Sequence, residues 1–579
     1  MKKSIEEHEN ENQKEENKNT LPENEIEQLI QDFQRGYDEN LASRKLFLIS
    51  VGGGGNRVMD SILSLIDKPS DALHWFIKFA IGNRFLFINT GPELINYKNR
   101  YGEEHILDIG FGKGTGTPGY AYSLYKDEDK KTDEIILKKI HSMLLLPNSR
   151  ARDADSSRII PLLTFIIINS CGGGTGSGIT PLLIQDLLKK YMLAEKEKSF
   201  FIFNFIILPE SDKDIGKYTV PYTLAKWKEI YEIQVENPQK QEISGLRTFP
   251  ILLSNAHFWK SIESKRKDSI EKMDRNDSFT VMDLNPLILK VITPLFITII
   301  SASIFNLEDK LRESFCKITN IPKEEFEKTR HLSTIKEIDE AFFTRNLPDP
   351  FIVPLLIEGA PAIKGDADYA ETYKQIFSTI KKSGLQIIEN EFYGTSADIG
   401  KDFRGLRAAI GLFGNSSFAN EDNLRAINKI LTEKEKIYVT DPVYLSTNVL
   451  SPNYPDSILI IFSQAYSPEF LNWMDKLQTE VKLFKKAGND IYRESKFTFD
   501  ELKKFSEVMK EWKNLLHKKR ETNLKRIQPM KTPKKSKTSK HSTITTSADI
   551  TSQKPKVCKI CSQENPPDAS TCSTCGVNI

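Results

Sequence analysis

Apolar runs of strand length recur through the first half of the chain, and segments with apolar residues at helical spacing follow several of them. The runs are Lys45–Val51, Phe85–Thr90, Ile159–Ile168, Phe201–Leu208 and the segment opening at Pro250, which enters a helix at Asn255. Near-continuous β-branched and aromatic residues mark strands buried on both faces. Strands alternating with helices such as Arg57–Ile66 and Ile179–Leu188 predict a parallel α/β sheet, with ligand loops at the strands' C-terminal ends. Ahead of these, Ile26, Leu29, Ile30 and Phe33 predict a leading helix that packs on the body.

The apolar stretch Pro286–Phe305 is long enough to consider as a membrane span, but it holds Lys290, Thr293, Pro294, Thr298, Ser301 and Ser303. It reads instead as a core helix buried on all sides, with no transmembrane segment in the chain. Asn285 to Asn306 covers 306 − 285 = 21 residue steps, a helix of about 30 Å. Pro286 marks Asn285 as a cap, and Pro294 predicts a kink. A second α/β set follows: strands near Phe351–Ile363, Ala408–Phe413, Lys436–Leu445 and Ser457–Phe462, with helices over Asn423–Leu431 and Glu469–Ala487. Leu502, Phe505, Met509, Trp512 and Leu516 then line one face of a helix opened by the capping box Thr498–Glu501.

Charge changes the picture at the two ends. Residues 1–40 carry 5 basic and 12 acidic residues, net 5 − 12 = −7, and residues 513–556 carry 13 and 2, net 13 − 2 = +11. The first 22 residues and the span 518–556 read as disordered, the latter as a basic linker open to an anionic membrane, nucleic acid or an acidic protein surface, or as a solvated spacer. Of six cysteines, four fall in the last 22 residues. With no apolar segment behind Met1-Lys2-Lys3, this predicts a reducing, cytoplasmic setting.

The chemistry centres on Asn169-Ser170-Cys171-Gly172-Gly173-Gly174-Thr175-Gly176-Ser177-Gly178. A strand, a glycine-rich turn and a helix N-terminus make an anion site: N–H groups point outward, the helix dipole favours negative charge, and missing side chains admit a phosphate. A Walker loop would need lysine where Ile179 stands, and the G-x-G-x-x-G spacing fails at Ser177. Gly52-Gly53-Gly54-Gly55-Asn56 is a second strand, glycine loop and helix unit. A third glycine loop, Gly110–Gly119, contains a G-x-G-x-x-G at Gly114, Gly116 and Gly119, but it is too long and proline-broken to open a dinucleotide-binding helix.

Gly172–Gly178 resembles, letter for letter, the phosphate loop of the tubulin/FtsZ family. The resemblance spans about Arg44 to Ala487, and the second domain is more similar to that of tubulin. It implies a tubulin/FtsZ-type nucleotide-binding domain over 43–310, a long central helix and a second domain over 311–490; the apolar stripe beyond it adds a C-terminal helix over 491–527. It implies GTP or GDP with Mg2+ held by Gly53, Gly54, Asn56, Asn89, Gly114, Thr115, Gly116, Gly172, Gly173, Gly174, Thr175, Gly176 and Ser177. Asn56 would face the nucleotide, Asn89 the phosphate or ribose, and Asn255 and Asn285 the guanine. Asn255 suits either a purine edge or a helix cap, and Glu210 substitutes for a ribose-binding acid where this chain has Val220.

In the family the far end of the central helix enters the neighbouring subunit's nucleotide site. Asn306, Glu308 and Asp309 would then be catalytic, although Leu311 stands at the water-orienting acid; Asn306 and Asp309 also suit an ordinary helix start. The implied protein polymerises with itself head to tail and hydrolyses GTP at the junction. The alternative is a non-hydrolysing nucleotide-binding scaffold or regulator of the same fold. Finally, Cys558, Cys561, Cys572 and Cys575 form a C-x2-C, ten-residue, C-x2-C arrangement similar to a zinc ribbon over 556–579, behind the linker 528–555. Four thiolates close a structural Zn2+ site and leave no open catalytic position.

Overall fold

The computed structural model describes residues 22–39, 45–110, 117–144, 163–189, 200–209, 218–235, 248–254, 288–296, 307–332, 352–359, 361–382, 407–415, 417–431, 438–439, 443–446, 454–463, 468–511, 556–557 and 564–565. By its contacts the chain divides into two compact units, 1–521 and 522–579.

Strands of the first unit are β1 Lys45–Val51, β2 Phe85–Asn89, β3 Ile106–Asp108, β4 Leu163–Ser170, β5 Phe200–Leu208, β6 Thr248–Ser254, β7 Ile352–Glu358, β8 Arg407–Gly414, β9 Tyr438–Val439, β10 Val443–Ser446 and β11 Ser457–Ser463. The helices are α1 Glu23–Glu39, α2 Gly52–Asp67, α3 Ala72–Ile81, α4 Leu94–Tyr101, α5 Pro118–Tyr125, α6 Thr132–Leu144, α7 Gly174–Leu187 and α8 Thr219–Val235. After them come α9 over 288–296, α10 Asp309–Thr319, α11 Lys323–Leu332, α12 Asp366–Lys382, α13 Glu421–Lys429, α14 Pro468–Ser495 and α15 over 499–511.

The first six strands pair in parallel in the order β6-β5-β4-β1-β2-β3. This is the doubly wound 3-2-1-4-5-6 order, whose ligand crevice lies at the switch point where β1 and β4 leave the sheet in opposite directions. The expected α/β class with a parallel sheet is therefore present. No break in the sheet marks the start of the second strand set. β7 joins β6 in parallel at Ile251 opposite Ile352, β11 runs antiparallel between β7 and β8, and β10 flanks β8.

Alternate residues of the central strands feed two apolar layers. Phe165 and Ile167 of β4 join α5, α7 and α8 on one face, while Ile166 and Ile168 join α2, α3 and α9 on the other. Each fully buried Ile, Leu or Phe contributes about 1.5–3 kcal/mol, so burial on both faces explains why these strands read as unbroken apolar runs. α1 closes the second layer: Phe33 and Tyr37 pack among Phe76, Phe79 and Phe315, as its apolar spacing predicts.

Several boundaries differ from the sequence expectation. Described only over 288–296, α9 is not buried on all sides: Lys290 is exposed and pairs with Glu358 at 3.0 Å, while Ile288, Val291, Ile292, Leu295 and Phe296 are buried. The strand expected over Lys436–Leu445 is two short strands. α14 continues past Ala487, where its backbone kinks (φ −130°, ψ 32°), to Ser495. The capping box of α15 forms as predicted: the Thr498 N–H donates to Glu501 and the Glu501 N–H to Thr498 Oγ1. Among the described residues no helix is long and apolar enough to cross a membrane. In the second unit, Lys556–Val557 pairs antiparallel with Glu564–Asn565.

Beneath α1 lie two buried cations. Arg84 donates to Asp38 at 2.7 Å and to the Ala80 carbonyl at 3.0 Å, and Lys45 Nζ sits 5.6 Å from the Tyr37 ring centroid. Burial, and next the Arg84 charge, lower the Lys45 amine from 10.5 to about 8. The folded protein thus releases this proton before the unfolded chain does, and stability rises with pH from about 8 towards 10.5. Over that span the wild type should gain up to about 3 kcal/mol relative to Lys45→Met. Urea midpoints followed against pH measure the difference; parallel curves for the two proteins would contradict it.

Candidate functional site at the switch point

Both glycine units at the switch point prove to be helix first turns rather than free loops. The sequence places the helix after β1 at Arg57, yet α2 starts at Gly52, directly after Val51. Gly52 has φ +80°, which L side chains rarely adopt, and a methyl there would lie 2.8 Å from the Gly176 amide nitrogen. One turn further, a methyl on Gly55 would meet the Ile168 carbonyl oxygen at 2.2 Å. The glycines are consumed by this approach of α2 to β4 and α7.

The central loop behaves in the same way. α7 begins at Gly174, so Pro181 lies inside the helix rather than in its first turn as expected. A methyl on Gly176 would sit 2.8 Å from the Ser170 carbonyl oxygen and 2.9 Å from that of Val51, whereas one on Gly173 would meet nothing within 4 Å. The two helix N-termini meet at Gly52 and Gly176 and leave open space at Gly173. Their positive ends converge there, which is what an anion requires.

Polar side chains surround this opening. Ser177 Oγ donates to the Gly173 carbonyl at 2.6 Å, and the Thr175 hydroxyl lies 2.7 Å from that of Thr90. Asn89 ends β2 beside Gly53; its Nδ2 donates to Glu93 Oε1 at 2.6 Å and its Oδ1 accepts from the Thr90 N–H. Asn56 corrects one expectation. Instead of facing the opening it is 0 % exposed beneath α2, accepting from Ser50 Oγ at 2.7 Å, because the first turn begins at Gly52 rather than at Arg57. Asn169 is equally buried and donates to the Gly176 carbonyl at 3.4 Å. Asn56 Nδ2 and Asn169 Oδ1 have no hydrogen-bond partner among the described residues. Cys171, just before the glycines, is fully buried; desolvation raises its thiol to about 12 and leaves it unreactive.

Thus Gly53, Gly54, Asn89, Gly172, Gly173, Gly174, Thr175, Gly176 and Ser177 are brought to one place. Asn169, which opens the glycine stretch, lies there too; Glu93 and Thr90 belong there as well and were missed, each a single polar residue at the end of an apolar strand or in a tight turn, without periodic signal. Gly114, Thr115, Gly116, Glu210, Asn255, Asn285, Asn306 and the four cysteines lie outside the described residues. Glu308 and Asp309 belong to a different element, α10. Glu308 stands at the helix N-cap without a side-chain capping bond, and Asp309, 86 % exposed, pairs with Arg312 at 3.0 Å. Leu311 is buried against α1, its Cδ2 2.6 Å from where a methyl on Gly36 would project.

The arrangement defines a doubly wound α/β protein with two helix N-termini converging at its switch point. A dinucleotide fingerprint is absent from the β1 turn, where Arg57 stands in place of its third glycine, and Gly114–Gly119 follows β3 at the sheet edge. No protein-family model matches the chain, and no curated protein matches it. Among the described residues no group of His, Cys, Asp and Glu could hold a metal ion.

Two glycines in one turn should respond oppositely. Gly173→Ala is expected to melt within about 2 °C of the wild type, since its methyl enters open space. Gly176→Ala, forced onto two backbone oxygens, should be destabilised by about 1–3 kcal/mol. Thermal melts of both variants measure this, and equal melting temperatures would refute the close approach of α2 and α7.

Proposed function

We propose that the chain is a tubulin/FtsZ-like cytoskeletal GTPase, which binds GTP or GDP with Mg2+ at the switch point and polymerises head to tail. The observation that carries the reading is the convergence of two glycine-built helix N-termini at the switch point of a 3-2-1-4-5-6 sheet. One of the two bears the seven residues Gly172–Gly178. A polyphosphate fits the open space at Gly173, beside the first-turn N–H groups of α7 and the neighbouring Thr175 hydroxyl. Mg2+ bound with the phosphates would draw on Thr90, Thr175 and Glu93 oxygens and would screen the Glu93 carboxylate from the anion. Asn255 and Asn285 are the candidate guanine contacts and Glu210 the candidate ribose contact.

Hydrolysis is assigned to the subunit junction, with Glu308 presented from the start of α10 and Asp309 beside it. Head-to-tail contacts are heterologous and do not close, hence filaments. Cys558, Cys561, Cys572 and Cys575 are assigned to one structural Zn2+ in a cytoplasmic protein, with the ribbon on its basic linker as a recruitment arm for protein, anionic membrane or nucleic acid.

A second reading, a nucleotide-binding scaffold that neither hydrolyses nor self-assembles, is favoured by α10. Leu311 faces α1 instead of a nucleotide, and Asp309 is occupied by Arg312. Sedimentation of the full chain with GTP, GDP and a non-hydrolysable GTP analogue, with phosphate release followed in the same samples, separates the two. The filament reading expects pelleting with GTP and the analogue, and phosphate only above a critical protein concentration. Nucleotide bound without pelleting or phosphate would establish the scaffold, and no nucleotide bound would overturn both.

A further inference from the structure

Two hydroxyls from one helix bracket the glycine loop. Thr219 Oγ1 donates to the carbonyl of Cys171, the residue before the glycines, and Tyr222 OH donates to the carbonyl of Gly178, the last of them, at 3.1 Å. Residues 219 and 222 are three apart in the first turn of α8, so they share a face. The loop needs such ties because Pro181 has no N–H to offer the Ser177 carbonyl, which leaves the first two turns of α7 short of one ladder bond.

The same turn of α8 is gripped from its other side by the hairpin of α14 and α15. The Tyr222 ring lies tilted against Phe497, with centroids 5.1 Å apart, and meets Phe505 edge-on at 5.3 Å. Tyr218 OH donates to Glu480 and Glu494, which lie on either side of the α14 kink, at 3.1 and 3.2 Å. The hairpin's turn at Lys496, with φ +59°, also touches the start of α5: a methyl on Gly119 would lie 2.6 Å from the Lys496 carbonyl carbon. α5 in turn backs α7, since a methyl on Gly178 would lie 2.6 Å from the Pro118 carbonyl oxygen. Burial, above all, holds the Tyr222 phenol well above the ordinary tyrosine range, so it stays a donor at every ordinary pH.

We propose that Thr219 and Tyr222 are positioning residues that fix both ends of the glycine loop, and that the α14–α15 hairpin acts on the ligand site through them. The idea rests on the nucleotide-binding reading for its consequence and on the hydrogen bonds alone for its geometry. A structural role would change stability only; a positioning role changes the loop's local opening and its affinity for phosphate. By reciprocity, whatever binds the hairpin then alters nucleotide affinity, and nucleotide alters that binding.

The test is amide hydrogen exchange on the full-length protein, followed by titration with GDP and Mg2+. Tyr222→Phe keeps the ring between Phe497 and Phe505 and removes only the hydroxyl; Thr219→Val does the same at the other end. Each should speed exchange over 174–182 about fivefold, and the double variant more than tenfold. Amides of α2 should keep wild-type rates. Phe497→Leu, which loosens the hairpin's grip without touching either hydrogen bond, should speed the same segment. GDP affinity should fall by the same factors.

Exchange that rises everywhere together, or not at all over 174–182, overturns the proposal. So does faster exchange with GDP affinity unchanged. A wild type that binds neither GDP nor GTP sinks the nucleotide reading instead, and the exchange pattern still decides whether α8 clamps the loop.

Discussion

The structure depends on how closely two helices approach each other where β1 and β4 diverge. α2 starts directly after β1 and α7 only three residues after β4, and the amide of Gly176 comes within 2.8 Å of where a side chain on Gly52 would begin. Only glycine allows this, and only at first turns whose N–H groups have no partner inside the helix. The same contact that packs the domain therefore leaves two sets of unpaired donors facing one small opening at Gly173. Packing and the proposed anion site are thereby tied to one steric constraint.

The rest of the unit supports that point from both faces. One apolar layer carries α7 on α5 and α8, with the C-terminal hairpin behind them; the other carries α2 on α3, α9 and the leading helix α1. α1 also packs on α10. It covers Leu311 and, with Arg312 turned to Asp309, Glu327 and the Leu307 carbonyl, holds the segment 307–312 in one arrangement. The residues proposed for phosphate binding and those proposed for hydrolysis thus lie on separate elements, and the first have the fuller set of supporting contacts.

Much of this was legible in the sequence. Doubly buried strands such as Phe165–Ile168 read directly as apolar runs, and the glycine density from Gly172 to Gly178 pointed to the switch point, where the structure places the start of α7. The helix starts were not legible: propensity sets Gly52–Gly55 outside α2, but the interlock with β4 and α7 outweighs the roughly 1 kcal/mol that each helical glycine costs. Asn56 went astray for the same reason, since moving the helix start turned its side chain under α2. Thr219, Tyr222 and Glu93 could not be found, because their roles come from contacts with chain segments far away or from a single turn. Leu311 was noticed as a departure from a motif, yet its partner, Gly36, lies 275 positions earlier (311 − 36 = 275) and only the fold brings them together.

The most direct measurement is a crystal structure of the full chain grown with GDP and Mg2+. The account predicts the diphosphate against the backbone N–H groups of Gly173 to Gly176, at the N-terminus of α7 and facing the start of α2. Diphosphate bound elsewhere on the protein, or an empty switch point in crystals that hold the nucleotide, would contradict it.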